Sequence, residues 1–286
     1  MHINRHFFEA LERENNYKEE YNKLETMISI EGYRPQYHYG IITINDWIEE
    51  NFREWKKRKN YTTFREIRKQ IGFDVTKDDD DRLVFWATNI GLNEYLLFCE
   101  TIFNVVMGLL ERKVIMPPQL EKQLKFIFET MTATMEKAGF EIRHIDDQFI
   151  AVEKSAPAVA VAELAPELAN VIIEYNHYLL RGDITRKKEI LRHIADAMEP
   201  KRKELDAIVK QETDDFFWMI NKMNIRHNNI DPTDRHNYFE AFALLPDNEK
   251  EQWYDRIYEQ SLALFVRLDQ QERSRIIHEF KKSNIQ

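Results

Sequence analysis

The residue types best suited to chemistry gather in one stretch of the chain. Arg226, His227, Asn228, Asn229, Asp231, Asp234, Arg235, His236 and Asn237 fall within a run from Arg226 to Asp247 that contains no glycine. A polar connection of that length between helices is more often functional than incidental. An imidazole beside a guanidinium is what metal-free cleavage of a phosphodiester needs. The His takes a proton from a 2′-hydroxyl or gives one to the leaving oxygen, while the Arg holds the phosphate bidentately as charge builds. Asn228 and Asn229 are placed to orient either group or the substrate. The same residues also suit helix ends, because Asn and Asp are ordinary loop formers and Arg226 can bond the last carbonyls of a preceding helix. Spacing alone does not separate the two readings.

Basic residues that could lead RNA to this stretch are Arg186, Lys187, Lys188, Arg192, Lys201, Arg202 and Lys203. They alternate with Glu189, Glu199 and Glu204, as on a solvated helix face. A second basic patch, Arg53 with Lys56 to Lys59, also fits a helix C-terminus that favours cations. Other chemistries find less support. Glu174-x-x-His177 has the spacing of half a carboxylate di-metal site, but no second helical Glu-x-x-His accompanies it. The acidic run Asp78 to Asp81 lacks the ligand order of a calcium loop and reads as a negative helix start. Phosphate-binding glycine loops, dinucleotide fingerprints and serine-nucleophile elbows are absent. No metal and no cofactor is expected.

The elements that must position these residues read as helices. Helical spacing runs through Phe7, Leu11, Tyr17, Tyr21, Leu24 and Ile28, and then fails across residues 29–42 with their Gly, Pro and Tyr. Thr43 caps a helix bearing Trp47, Ile48, Phe52 and Trp55, and Thr63 with Glu66 has capping-box spacing. A central apolar helix is expected from about Arg82 to Lys113, broken at Gly91, followed by one opened by Pro117-Pro118 and stopped at Gly139. Only residues 140–153 alternate convincingly, predicting a short β-hairpin. Beyond a small-residue stretch at 155–159, helices are expected at about 160–181, 184–210 with Pro200 as a break or kink, and 211–225. A last amphipathic helix carries Trp253, Ile257, Leu264 and Phe265, with a separate tail helix at 270–281. The expected class is mostly α: an N-terminal helical domain (1–139), a hairpin and linker (140–158) and a C-terminal helical bundle (159–286).

Bulk properties agree with that class. The chain of 286 residues is 43% hydrophobic and 32% charged, with 7 glycines and 8 prolines, a profile of packed helices rather than disorder. A net charge of −9 leaves nucleic-acid binding to a local basic patch. Cys99, the single cysteine, implies a reducing compartment. The N-terminus turns acidic before any signal-peptide core forms, and the apolar stretch Tyr95 to Leu110 is interrupted by Glu100 and Asn104 and falls short of the roughly 20 residues of a membrane span. A cytoplasmic protein without membrane contact is expected.

Several separated motifs occur in order over the last part of the chain: Glu174-Tyr175-Asn176-His177-Tyr178, Gly182-Asp183, Lys188-Glu189-Ile190-Leu191, Glu199-Pro200-Lys201-Arg202, Met223 to Asn229, and Glu251-Gln252-Trp253-Tyr254-Asp255. This region resembles the HEPN superfamily, and most closely its bacterial abortive-infection-type members. The resemblance implies a dimerising helical bundle and a metal-independent endoribonuclease or toxin of an anti-phage or stress-response system. Its partners would be RNA, a second copy, and an antitoxin or sensor. It assigns catalysis to Arg226 with His227 or His236, orientation of substrate to Asn228 and Asn229, and RNA binding to Lys187, Lys188, Arg192, Lys201 and Arg202. In the family's signature four to six residues lie between the Arg and a following His, whereas nine lie between Arg226 and His236. An insertion could let His236 serve, His227 could serve instead, or the bundle could be a non-catalytic module that recognises a protein, nucleotide or RNA ligand. For a contact between copies, Tyr175, Trp253, Tyr254 and Tyr258 are the aromatic candidates.

Overall fold

A computed structural model describes residues 16–36, 40–77, 83–86 and 89–284. The expected acidic run at 78–81 and the start of the first helix lie outside these residues. Helix covers well over half of the described chain, so the protein is mostly α. It divides into two compact units, Met1–Glu153 and Lys154–Gln286. The hairpin therefore belongs to the first unit, and the small-residue stretch begins the first helix of the second.

The first unit opens with α1 (Tyr17–Ser29), whose Asn16 side chain accepts from the Glu19 amide and whose Tyr17, Tyr21, Leu24 and Ile28 are buried at helical spacing. Two-residue strands β1 (Gly32–Tyr33) and β2 (Ile42–Thr43) pair and lead into α2 (Ile44–Asn51). Both expected caps are present. Thr43 and Asp46 form a capping box on α2, and Thr63 and Glu66 form one on α3 (Phe64–Gln70).

The expected helix from Arg82 is corrected. Leu83–Trp86 is strand β4, antiparallel to β3 (Asp74–Lys77), and α4 starts only at Leu92 and ends at Glu111. Four consecutive apolar residues carry no period of their own, and their β-branched and aromatic members favour a strand once a partner strand is beside them. Helix α4 is long and apolar enough to cross a bilayer by length and composition, yet 61% of its most apolar window is buried inside the fold. Its two polar interruptions have structural partners: Asn104 exchanges both amide bonds with the Phe149 backbone, and Glu100 accepts from the Ala151 amide. These partners lie on β6 (Gln148–Glu153), which pairs with β5 (Phe140–Ile145) in the hairpin that alternation predicts. Asp146 and Asp147 at its turn both have positive φ, 45° and 61°, as a type I′ turn requires. Helix α5 (Pro118–Lys137) completes the unit, starting at the proline pair and stopping before Gly139, whose φ is 82°. Cys99 is buried in this core, which pushes its thiol well above the ordinary range and removes it as a nucleophile.

The second unit is a helical bundle. Pro166 and the turns at 176–183 divide the single helix expected at 160–181 into α6 (Ala156–Leu164), α7 (Ala169–Tyr175) and a 3-10 turn at Tyr178–Leu180. Asp183 caps α8 (Ile184–Met198), accepting from the Arg186 amide at 2.9 Å. Pro200 breaks the chain as expected. The next stretch, α9 (Arg202–Lys222), is two helical segments joined at a kink at Val209 (φ −142°, ψ 65°), where a boundary at about 210 is expected. After the short α10 (Glu240–Ala243), α11 (Asp247–Ser283) is one continuous helix of 37 residues, not a helix plus a separate tail. Its first half packs on α6, α8 and α9. Ile190, Leu191, Ile194 and Met198 meet Phe216, Phe217 and Ile220, with Ile257, Leu264 and Phe265 closing the core.

Candidate functional site

The stretch that follows α9 is built around one buried amide. Asn224 adopts a left-handed conformation (φ 60°) that ends the helix, and Arg226 donates its backbone N–H to the Ile220 carbonyl at 3.1 Å. Ile225, 1% exposed, plugs the loop into the core. Asn229, also 1% exposed, then ties the loop together. Its Oδ1 accepts from the Asn224 amide at 3.0 Å, its Nδ2 donates to the Asn237 carbonyl at 2.6 Å, and its own carbonyl accepts from the Phe239 amide at 2.9 Å. Residue 229 thus sits against 237–239, and the loop closes on itself. Asp231 accepts from Thr233, and Asp234 accepts from Asn237 and from the Tyr238 amide through its backbone carbonyl. The bonds from Thr233 and from Asn237 hold the Asp231 and Asp234 carboxyls below the usual carboxylate range.

His227 and Asn228 are exposed on this frame, and so is His236, whose Nδ1 lies 3.3 Å from Asn237 Oδ1. Closure of the loop brings His236 to within one residue of the Asn237–Asn229 junction. The glycine-free length is therefore spent on a compact, internally bonded loop. Asn229 differs from its expected role: both of its amide atoms are engaged by the backbone, so it positions the loop and has no free group for substrate.

Charge on the adjoining face of α8 is uneven. Lys188 is half-buried, and its ammonium donates to the neutral Asn224 Oδ1 at 3.2 Å; among the described residues no carboxylate lies within ion-pair distance of it. Burial, and then the like charge of Arg192 one turn on, push its pKa down. Arg192 is exposed and likewise unpaired among the described residues. Further along, Arg226 donates to Glu199 at 2.7 Å and lies 3.9 Å from Asp196, so its guanidinium is engaged by carboxylates. Arg202 stacks over the Phe217 ring at 4.5 Å. Lys201 beside it is half-buried.

Lys187 is corrected as an RNA-binding residue. It is 4% exposed, and its ammonium is held between Glu251 and Asp255, each at 2.7 Å. Asp255 also accepts from the Tyr175 hydroxyl at 3.1 Å, Tyr175 stacks on Tyr258 at 3.9 Å between centroids, and Asn176 donates to the Tyr258 hydroxyl at 2.6 Å. This network fastens α7 and α8 to α11. It also displaces the aromatic candidates for a contact between copies, since Tyr175, Tyr254 and Tyr258 are core residues of a single bundle. Glu174 is held bidentately by Arg186, at 2.5 and 2.8 Å, rather than facing a metal. Among the described residues no three His, Cys, Asp or Glu side chains gather as metal ligands would. Trp218 and Lys222 border the loop and escaped the sequence reading. The signal for Trp218 was present, because inward Phe216, Phe217 and Ile220 leave position 218 pointing outward.

Comparisons with protein-family models, with curated proteins and with solved structures find no match to this chain.

Proposed function

We propose that the C-terminal unit is an HEPN-like module that binds RNA at the loop following α9 and cleaves it without a metal, as a toxin or defence ribonuclease. One observation carries this reading. A half-buried lysine with no counter-charge among the described residues, reinforced by Arg192, borders a loop that presents Arg226, two exposed histidines and Asn228. A desolvated, unpaired ammonium is costly unless an anion completes it, and phosphate is the anion that imidazole and guanidinium chemistry accompanies.

In this reading Lys188 and Arg192 draw in a phosphodiester, and Arg226 exchanges Glu199 for a phosphate oxygen. His227 or His236 takes the 2′-hydroxyl proton as the 2′-oxygen attacks phosphorus. The P–O5′ bond breaks, the 5′-oxygen is protonated, and a 2′,3′-cyclic phosphate remains. Pairing of two such bundles, a neutralising partner and a reducing, cytoplasmic setting belong to the same proposal. The second reading, a binding module without catalysis, is favoured by the engagement of Arg226 with Glu199.

The test is cleavage of structured and single-stranded RNA in chelator by the wild type and by Arg226→Ala, His227→Ala and His236→Ala. Cleavage that leaves cyclic phosphate and fails in Arg226→Ala and in one of the histidine variants supports the proposal. RNA binding without cleavage selects the binding module, and neither binding nor cleavage overturns both.

A further inference from the structure

Three features outside the loop offer a ligand something. The apolar groove between α4 and α5, with a volume of about 600 Å³, is lined by Phe103, Met107, Leu124 and Phe128 and edged by Glu121 and Glu129, but no segment is marked out to fill it. The end of α11 exposes Ile276, Ile277 and Phe280. The charges beside them are paired within the helix, Arg273 with Asp269 and Arg275 with Glu272 and Glu279, and nothing in the structure shows what covers this face. The third is Trp218, where an exposed ring, a fixed orientation and an unpaired cation coincide.

Trp218 is 50% exposed on α9 while its neighbours Phe216 and Phe217 are buried in the core. Its ring meets Phe239 in a T-shaped contact, with centroids 5.9 Å apart and planes at 82°, so the ring is held against the loop while half of its surface is left to solvent. Phe239 is the residue whose amide bonds Asn229, which places Trp218 directly against the loop frame. One turn further along α9, at i+4, stands Lys222, half-buried and with no counter-charge among the described residues. Residues at i and i+4 share a helix face about 6 Å apart, a distance comparable to that between a base and its own phosphate. On the opposite side of Trp218, Asp215 accepts from Gln211 and Asp214 pairs with Lys210. Lys210 offsets Asp214, which leaves Asp215 on one side of the ring and Lys222 on the other, and of the two it is the Lys222 side that attracts a phosphate.

We propose that Trp218 and Lys222 form a subsite for one unpaired nucleotide of the RNA, with the base stacked on the indole and its phosphate on the Lys222 ammonium. This rests on the RNA-binding reading above and adds to it that the bound strand is single at this position, because a base stacked within a duplex has no free face to offer. Neither residue touches the reacting atoms. They position the strand, so their loss acts on affinity more than on the chemical step.

The experiment measures binding of a fluorescein-labelled single-stranded RNA and of the same strand in a duplex, in chelator, by the wild type, Trp218→Ala, Trp218→Phe, Lys222→Ala and Lys188→Ala. Base-on-aromatic stacking is lost in Trp218→Ala, which should weaken single-strand binding roughly ten-fold and leave duplex binding unchanged. Trp218→Phe should retain most of the affinity. Tryptophan emission should be quenched by the single strand in the wild type and not in Trp218→Phe, a readout that a purely structural role would leave unmoved. Single-strand affinity in Trp218→Ala equal to the wild type, with affinity lost in Lys188→Ala, overturns the subsite and leaves the RNA-binding reading intact. Equal losses on single strand and duplex also overturn it. No RNA binding by the wild type removes the subsite together with the reading it rests on. If light scattering shows Trp218→Ala dissolving an oligomer while RNA affinity stays unchanged, the exposed ring is a protein contact and the proposal fails.

Discussion

Replacing Glu199 by Gln tests what Arg226 is for, because the functional and structural readings differ in sign. Arg226 is 27% exposed and Glu199 45%, with 2.7 Å between them and Asp196 more distant at 3.9 Å. An ion pair this accessible to water contributes about 0.2–1 kcal/mol. Glu199→Gln should therefore change the melting temperature little. If Arg226 must leave Glu199 to reach phosphate, the same energy is returned to RNA binding or cleavage. At about 1.4 kcal/mol per ten-fold, the gain is about 1.4- to 5-fold. Arg226→Ala removes a donor to the developing charge and should cost about 3–4 kcal/mol, a loss of a hundred-fold or more. The double variant should resemble Arg226→Ala, since Glu199 then has nothing to restrain. Initial rates of RNA cleavage in chelator at low and high salt give all four values, and the Glu199→Gln gain should shrink in high salt as the pair it removes is screened. A loss in Glu199→Gln as deep as that in Arg226→Ala would refute the reasoning and make the pair a structural brace.

Lys188→Arg should change the pH profile of RNA binding. Because burial depresses the Lys188 pKa, the charged form that attracts phosphate is lost as pH rises through a value below the ordinary lysine range, and arginine, charged throughout, should remove this alkaline fall. The sign for stability is opposite: the unfolded chain holds the proton more tightly, so deprotonation of Lys188 favours the folded state, and titration of binding against titration of melting separates the two. Lys187→Met should lower stability by about 3 kcal/mol in chemical denaturation, because it takes the ammonium from between Glu251 and Asp255 beside a buried stack; an unchanged midpoint would show the network to be dispensable. Asn229→Ala should cost about 2–4 kcal/mol and raise hydrogen exchange across 224–239, since the Asn224 amide and the Asn237 carbonyl both lose their partner. Protection equal to the wild type would show that the loop closes without it.

Much of the fold was written locally in the sequence. The faces of α1, α5 and α8 follow from a 3.6-residue period, the starts of α2 and α3 from Thr–acid capping boxes, and the hairpin at 140–153 from alternation around an Asp-Asp turn. Each of these signals lies within a turn or two of the residue it governs, so no distant partner is needed to read it. The strand at Leu83–Trp86 was not legible, because a short apolar run takes its conformation from the strand that pairs with it. The unbroken α11 was not legible either, since the polar run Asp269 to Arg275 separates the apolar residues of its first half from Ile276, Ile277 and Phe280 and carries no pattern that distinguishes one helix from two. The candidate stretch was located by residue type alone, but roles within it depend on what lies across the bundle. Asn229 proved to be the loop's tie, Arg226 is engaged 27 positions back at Glu199, and Lys187 is buried while its neighbour Lys188 has no counter-charge among the described residues. Adjacent lysines on a helix point about 100° apart. Composition cannot say which of them meets the carboxylates of α11 and which meets the neutral amide of Asn224; only the packing of the helices decides that.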